Sequence, residues 1–254
     1  MEKQPIIFSG AGPGAPDLIT VRGMQALEQA DYILYAGSLV PEAVLTWAKN
    51  GAIMETSAGM HLDQMVERMV LAYEKGQRVV RLHTGDPSLY GAVREQMGKL
   101  DAMDIPYEVI PGVTAAFAAA AALKAEYTVP GISQTLIFTR ISGRTPVPER
   151  ESLLSLASHQ ASMAIYLSSG MAEEVGGILA TAYGPRAPCA IAYKVSHPEQ
   201  NIILTSVDKL AGIMEENKIN RHALIIAGSF LEAKGAAQSL LYSKHFSHGY
   251  REES

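Results

Sequence analysis

Short apolar runs alternate with longer amphipathic stretches along this 254-residue chain. Ile6-Ile7-Phe8, Tyr32 to Tyr35, Gln77 to Leu82 and Tyr107 to Ile110 each read as a strand. Between them the spacing turns helical. One helix is predicted from about Asp17 to Gln29. A second spans His61 to Glu74, where Met65, Met69 and Leu71-Ala72 recur on one face, and an alanine-rich helix follows Pro111-Gly112. Beyond Leu123 further strands are predicted at Thr135 to Thr139, Ala161 to Leu167, Pro188 to Val195, Asn201 to Thr205 and Ala223 to Ala227. Helices are predicted at 149–158, 171–182 and 207–217, and Ser142 to Glu149 reads as a loop. Strands alternating with helices predict an α/β architecture with parallel pairing and right-handed crossovers. The break in pattern divides the chain into domains at 1–122 and 123–254. The polar tail from Lys234 is expected to be loose.

Composition narrows the function classes. With 48% apolar and 19% charged residues the chain is ordinary globular protein. A net charge of -5 with scattered basic residues predicts no nucleic-acid partner and no attraction to acidic membranes. The single cysteine, Cys189, permits no intrachain disulfide. Met1 to Pro5 lacks the order of a signal peptide, and the longest apolar run, Ala115 to Leu123, is too short to span a bilayer. A soluble cytoplasmic protein is expected.

The candidate chemistry lies in three turns, Gly10-Ala11-Gly12-Pro13-Gly14, His83-Thr84-Gly85-Asp86-Pro87 and Ile110-Pro111-Gly112-Val113-Thr114-Ala115. Each sits where a strand ends and a helix begins. In an open parallel sheet such turns converge on one edge and form a ligand crevice, and glycine lets a ligand approach the main chain. Ordinary βα turns are the plain alternative. A dinucleotide fold is the sharper one, since Gly10-x-Gly12-x-x-Ala15 fits its loose fingerprint. Two features oppose it. Asp31 stands before the second strand rather than at its end, and Pro13 removes an N–H from the loop that should hold the pyrophosphate. No Walker loop, His-Glu-x-x-His or Gly-x-Ser-x-Gly occurs, and His245-x-x-His248 is a weak pair, so no metal site is expected. Cys189, between Pro188 and Ala190, reads as core, and His83 as structural. Asp86 either meets a ligand or shapes its own turn.

Gly12-Pro13-Gly14-x-Pro16-Asp17-Leu18-Ile19-Thr20, Ala30-Asp31-Tyr32-Ile33-Leu34-Tyr35, Thr84-Gly85-Asp86-Pro87 and Pro111-Gly112-Val113-Thr114-Ala115 together resemble the motifs of the tetrapyrrole methylase family. The resemblance runs from about Ile6 to Phe230. It implies two α/β domains, an N-terminal mostly parallel sheet, a C-terminal mixed sheet and a cofactor cleft between them. It also implies S-adenosylmethionine as methyl donor, S-adenosylhomocysteine as product, a tetrapyrrole substrate and a homodimer. A narrower resemblance is carried by Tyr35 to Pro41, Ser57-Ala58-Gly59-Met60, Ser133 to Arg140 and Gly143 to Glu149. It points to the branch that methylates carbon 11 of precorrin-4 or its cobalt complex in cobalamin biosynthesis. The chain departs from the related uroporphyrinogen methylases at Ala36, where they carry Asp, and at Thr56 and Ser57, where they carry a basic residue.

Matched by motif, the resemblance implies cofactor contacts at Pro13, Thr84, Gly85, Asp86, Leu89, Thr114 and Ala115, and at Leu167, Val195 and Ala227 in the second domain. Methyl transfer from a sulfonium to an electron-rich carbon is chiefly a matter of holding the reactants about 3–3.5 Å apart and aligned. No catalytic base is assigned. The substrate's acetate and propionate groups suit arginine forks, so Arg140 and Arg144 are expected as substrate clamps, with Met60 and His61 facing the macrocycle. Another ring carbon, diphthine, a nicotinamide-dependent oxidoreductase and a binding module without turnover are the competing readings.

Overall fold

The computed structural model describes residues 3–37 and 40–233. The tail from Lys234, with His245 and His248, lies outside them, as do Ser38 and Leu39 of the branch-specific stretch. The chain divides into two compact units, one comprising Met1–Ala118 with Ser196–Pro198, the other Ala119–Val195 with the chain from Glu199 on. The division falls inside a helix just before the expected boundary at 122, and the return of Ser196–Pro198 to the first unit is not foreshadowed in the sequence. Among the described residues no helix is long and apolar enough to cross a membrane.

The first unit is built on β1 (Ile6–Gly10), β2 (Tyr32–Tyr35), β3 (Ile53–Thr56), β4 (Val79–His83) and β5 (Tyr107–Ile110). All pairings are parallel, in the order β3-β2-β4-β1-β5. β4 is central and buried throughout, because both faces of a parallel sheet are covered. On one face Ile6, Phe8, Tyr32, Leu34 and Val79 meet Val66, Met69 and Ala72 of α3 (Leu62–Glu74) and Leu100 of α4 (Val93–Asp101). On the other, Ile33, Val80 and Leu82 meet Ala26 and Leu27 of α1 (Val21–Gln29) and Val44 of α2 (Glu42–Leu45).

The helix predicted over residues 17–29 divides. Pro16–Leu18 forms a single 3-10 turn and α1 starts afresh at Val21. Thr20 explains the break, because its hydroxyl accepts the N–H of Gly23 at 3.1 Å and caps a new helix. β3, α2 and α4 appear in addition to the predicted elements. β3 is an edge strand whose Ile53 and Met54 are half exposed, so it carries no buried alternation, and its pairing with β2 decides its state.

α5 (Ala115–Leu123) leads from β5, and the second unit holds β6 (Leu136–Arg140), β7 (Ser162–Tyr166), β8 (Pro188–Tyr193), β9 (Asn201–Ser206) and β10 (Ala223–Ala227). The order is β6-β7-β10-β8-β9, with β6 and β7 parallel and the remaining pairs antiparallel, which makes the sheet mixed. Met163, Ile165, Cys189, Ile191 and Ile225 pack against Val175 and Leu179 of α7 (Ala172–Tyr183) and Leu210 and Met214 of α8 (Leu210–Glu216). α6 (Leu153–Ala157) adds Leu153 and starts at Ser152, whose hydroxyl accepts the N–H of Ser155, so only part of the 149–158 stretch is α-helical.

Candidate functional site

Parallel pairing puts the carboxyl ends of β4, β1 and β5 side by side, and the three glycine turns leave from those neighbouring ends. Main chain joins them. The N–H of Ala11 donates to the carbonyl of His83 at 2.7 Å, and Gly12 and Gly85 exchange hydrogen bonds in a short antiparallel bridge. Both bridge glycines have positive φ, +78° and +62°, where a side chain is strained. A Cβ on Gly10 would lie 2.4 Å from the Gly85 carbonyl oxygen and 2.6 Å from Cα of Gly112, and one on Gly112 would lie 2.0 Å from that oxygen. The turns are thus in backbone-to-backbone contact, and glycine serves their packing on one another.

Asp86 completes the knot. One carboxylate oxygen accepts the N–H of Ser88 at 2.7 Å within its own turn, and the other accepts the N–H of Gly112 at 2.8 Å in the third turn. Of the two roles open to Asp86, both oxygens therefore serve turn shape. Thr84, Leu89 and Ala115 are partly exposed around the knot and can touch a ligand, whereas Pro13, Gly85 and Thr114 are buried. These seven motif positions are brought together by one sheet edge.

Behind the second turn, β4 carries two polar groups into the core. Arg81 is buried and donates from Nε to Gln96 at 3.1 Å and from Nη1 to the Leu34 carbonyl at 3.2 Å. Burial lowers its pKa to about 10, against a smaller opposing effect of Tyr32. His83 is also buried, stacks obliquely on Phe8 at 6.0 Å and has no hydrogen-bond partner for Nε2 among the described residues. Burial, with the charge of Arg81 beside it, depresses the imidazole to about 3. A histidine so placed is neutral and shielded, which fits the structural reading.

Asp31 stands at the amino end of β2, across the sheet from the glycine turns. Its carboxylate accepts the N–H of Arg78 at 2.8 Å and pairs with Lys49 at 2.5 Å, and these two contacts hold its pKa below the usual carboxylate value. It cannot serve as a ribose acceptor at the turns, which removes the main support for a dinucleotide site. Met60 and His61 follow β3 at the same carboxyl edge as the turns, but on the edge strand. Met60 packs against the core beneath the sheet, and His61 is exposed at the start of α3, its N–H donating to Gln64.

In the second unit the carboxyl ends of β6, β7 and β8 share one edge, because β10 between β7 and β8 runs the other way. Arg140, Leu167 and Val195 belong to that edge. Ala227 does not, since it pairs with Met163 and Cys189 at the far end and its side chain is core. Leu167 is 71% exposed although it follows a buried strand, and its φ is +53°. Lys194, Ser196 and His222 at the same edge also have positive φ.

Arg140 differs from the expected clamp. Its guanidinium donates to the carbonyls of Thr145 at 2.8 Å, Pro146 at 2.9 Å and Ile141 at 3.4 Å. Both terminal nitrogens thereby donate to the chain's own loop. Arg144 lies within that loop and is exposed. Residues outside the motif-based expectation are Ser196, whose hydroxyl accepts the N–H of Ala15 at 3.0 Å, and His197, which abuts Gly14. Only the polar character of Ser196-His197 after an apolar strand hinted at them.

A family profile described as Tetrapyrrole (Corrin/Porphyrin) Methylases matches residues 5–211. The cobalt-precorrin-4 C(11)-methyltransferase of Methanocaldococcus jannaschii is 46% identical, over 97% of this chain and 95% of its own length. The precorrin-4 C(11)-methyltransferase of Pseudomonas aeruginosa is 44% identical, over 97% and 98%. Among solved structures, the X-ray structure of a cobalamin biosynthetic enzyme, cobalt precorrin-4 methyltransferase, superposes with a TM-score of 0.87 at 45% identity, covering 89% of this chain and 95% of that one. With this similarity over nearly its whole length, and the family's three glycine motifs knotted at one sheet edge, the chain belongs to the tetrapyrrole (corrin/porphyrin) methylases.

Proposed function

We propose that this chain transfers the methyl group of S-adenosylmethionine to carbon 11 of precorrin-4 or cobalt-precorrin-4 in cobalamin biosynthesis. The observation that carries the reading is the knot of three turns at the carboxyl ends of β4, β1 and β5, in a chain similar end to end to enzymes of that name. The donor, once bound, would supply a methyl group already activated on its sulfonium, the electron pair of the broken C–S bond remaining on sulfur.

The residues present fit such a donor. The turns are fixed by main-chain bonds and Asp86, so their shape is set before a ligand arrives and little is lost in ordering them. Thr84, Leu89 and Ala115 offer partly exposed contact around the knot. In the second unit Leu167 and Val195 are the proposed contacts, whereas Ala227 keeps a place only through its main chain. Arg144 is the proposed clamp for substrate carboxylates, and Arg140 shapes the loop that presents it. Met60 and His61 remain proposed macrocycle neighbours. Positioning of this kind needs no activated nucleophile on the protein. A homodimer and a cytoplasmic location are part of the same proposal, the first to be read by sedimentation equilibrium.

Incubation of the purified chain with labelled donor and, in separate tubes, precorrin-4 and cobalt-precorrin-4 tests the reading. A mass gain of one methyl, placed at carbon 11 by carbon NMR, is expected in at least one tube. Methylation at another carbon, or none in either tube, rejects it.

A further inference from the structure

We propose that Ser196 and His197 are positioning residues that clasp the first glycine turn at Gly14-Ala15 and hold it in its donor-binding shape. The inference rests on the methyltransferase reading above and adds to it a contact that none of the motifs carries.

The first turn is poor in its own main-chain donors, since Pro13 and Pro16 have no N–H and Gly12 is committed to Gly85. The N–H of Ala15 is taken by the hydroxyl of Ser196 at 3.0 Å. One residue earlier, the imidazole of His197 lies against Gly14 so closely that a Cβ there would sit 2.3 Å from Cδ2 and 2.7 Å from Nε2. On its other flank, Trp47 donates from Nε1 to the carbonyl of Pro16 at 3.0 Å. The segment from Gly14 to Pro16 is thereby gripped from two sides.

The grip is held against backbone cost. Lys194 and Ser196 both adopt positive φ, +42° and +64°, a conformation unfavourable for residues bearing a Cβ. Such residues persist where their surroundings over-determine them, and they gather at functional segments. Ser196–Pro198 group with the first unit. Val195, expected as a donor contact, is buried between the two strained residues. The contacts of the segment with the turn are made by Ser196 and His197.

The test is a double-mutant cycle in the full chain, read by calorimetric titration with S-adenosylhomocysteine and by steady-state kinetics. His197→Ala is expected to weaken binding about threefold and Gly14→Ala about tenfold, since a Cβ there would meet both the imidazole and Ser196 Oγ, at 2.9 Å, on a backbone with φ +159°; because both substitutions act at one contact, the double variant is expected to lose less than the product of the two. The Michaelis constant for the methyl donor should rise and that for the tetrapyrrole stay fixed. A merely structural role would instead lower kcat and melting temperature together. Ser196→Ala should speed hydrogen exchange at the Ala15 amide, a readout independent of any ligand. Strictly multiplicative effects of the two substitutions, or unchanged Ala15 exchange, overturn the clasp. A wild-type chain that binds no S-adenosylhomocysteine overturns the functional reading instead.

Discussion

The carboxylate of Asp86 reaches from the second glycine turn to the N–H of Gly112 in the third, at 2.8 Å, while its other oxygen holds Ser88. One side chain thus ties two turns together. Asp86→Ala is expected to cost about 1.5–3 kcal/mol, the range for hydrogen bonds to a charged group, and to weaken S-adenosylhomocysteine binding as well. Asp86→Asn keeps an acceptor for one of the two N–H groups and should fall between. Urea denaturation checks the first part, and unchanged stability of the alanine variant would remove the cross-brace.

Arg140 and Arg144 should separate in kinetics. Arg144→Ala is expected to raise the Michaelis constant for the tetrapyrrole several-fold and leave the donor's unchanged, as loss of one charge-assisted contact does. Arg140→Lys should behave like Arg140→Ala, because a single ammonium cannot reproduce a fork spanning the carbonyls of Thr145 and Pro146. If lysine restores full activity, Arg140 acts through its charge and the loop-shaping role is lost.

His83 makes stability depend on pH. Its folded pKa, about 3, lies well below the 6.5 of the unfolded chain, so between these values the unfolded state binds the extra proton. Acidification from 6.5 toward 3 therefore destabilises the fold, with a slope approaching about 1.4 kcal/mol per pH unit for one proton. Asp31 adds a loss in the same direction at lower pH, as its carboxylate protonates and leaves Arg78 and Lys49. Denaturation of the wild type and of His83→Asn at pH 7, 6 and 5 compares the slopes; equal slopes would exonerate the histidine.

How far the sequence announced this molecule depends on what held each part in place. Apart from β3, the strands of both sheets and the three turns are legible because apolar runs and glycines mark them locally. β3 is not, since an exposed edge strand has no buried face to pattern, whereas α4, though outside the predicted elements, does carry a helical period in Val93, Met97 and Leu100. The split at Thr20 turns on one hydroxyl. The loop contacts of Arg140 are not legible, because residue type announces the capacity to bind a carboxylate and says nothing of the chain's own carbonyls nearby. Ser196 and His197 meet the first turn across a sequence separation that no local pattern spans.

Leu167 offers a test with little interference from stability. Glycine there would relieve about 1–2 kcal/mol of left-handed strain and lose about 0.5–1 kcal/mol to unfolded-chain entropy, so the balance is small. An exposed leucine held in such a conformation is expected to serve a ligand. Leu167→Gly should therefore leave the melting temperature within a few degrees of wild type and weaken S-adenosylhomocysteine binding. Unaltered affinity in calorimetry removes Leu167 from the site.

Cys189 should resist thiol reagents in the native protein, because burial, and secondarily Asp208, pushes its pKa up to about 12. Ellman's reagent should react only as fast as the fold opens. Immediate reaction under native conditions would contradict the burial of β8.

The meeting of Gly10, Gly85 and Gly112 has a consequence for how this protein can be altered. A bulky neighbour can often be trimmed to make room for an added methyl group, and at Gly14 the obstructing atoms are at least side chains, those of His197 and Ser196. At the meeting of the three turns the obstructing atoms are the Gly85 carbonyl oxygen and glycine main chain, which no exchange of residue can shorten. Damage at Gly10 or Gly112 should accordingly have no second-site suppressor among the other two, and engineering of donor specificity must begin at the rim, with Thr84, Leu89 and Ala115.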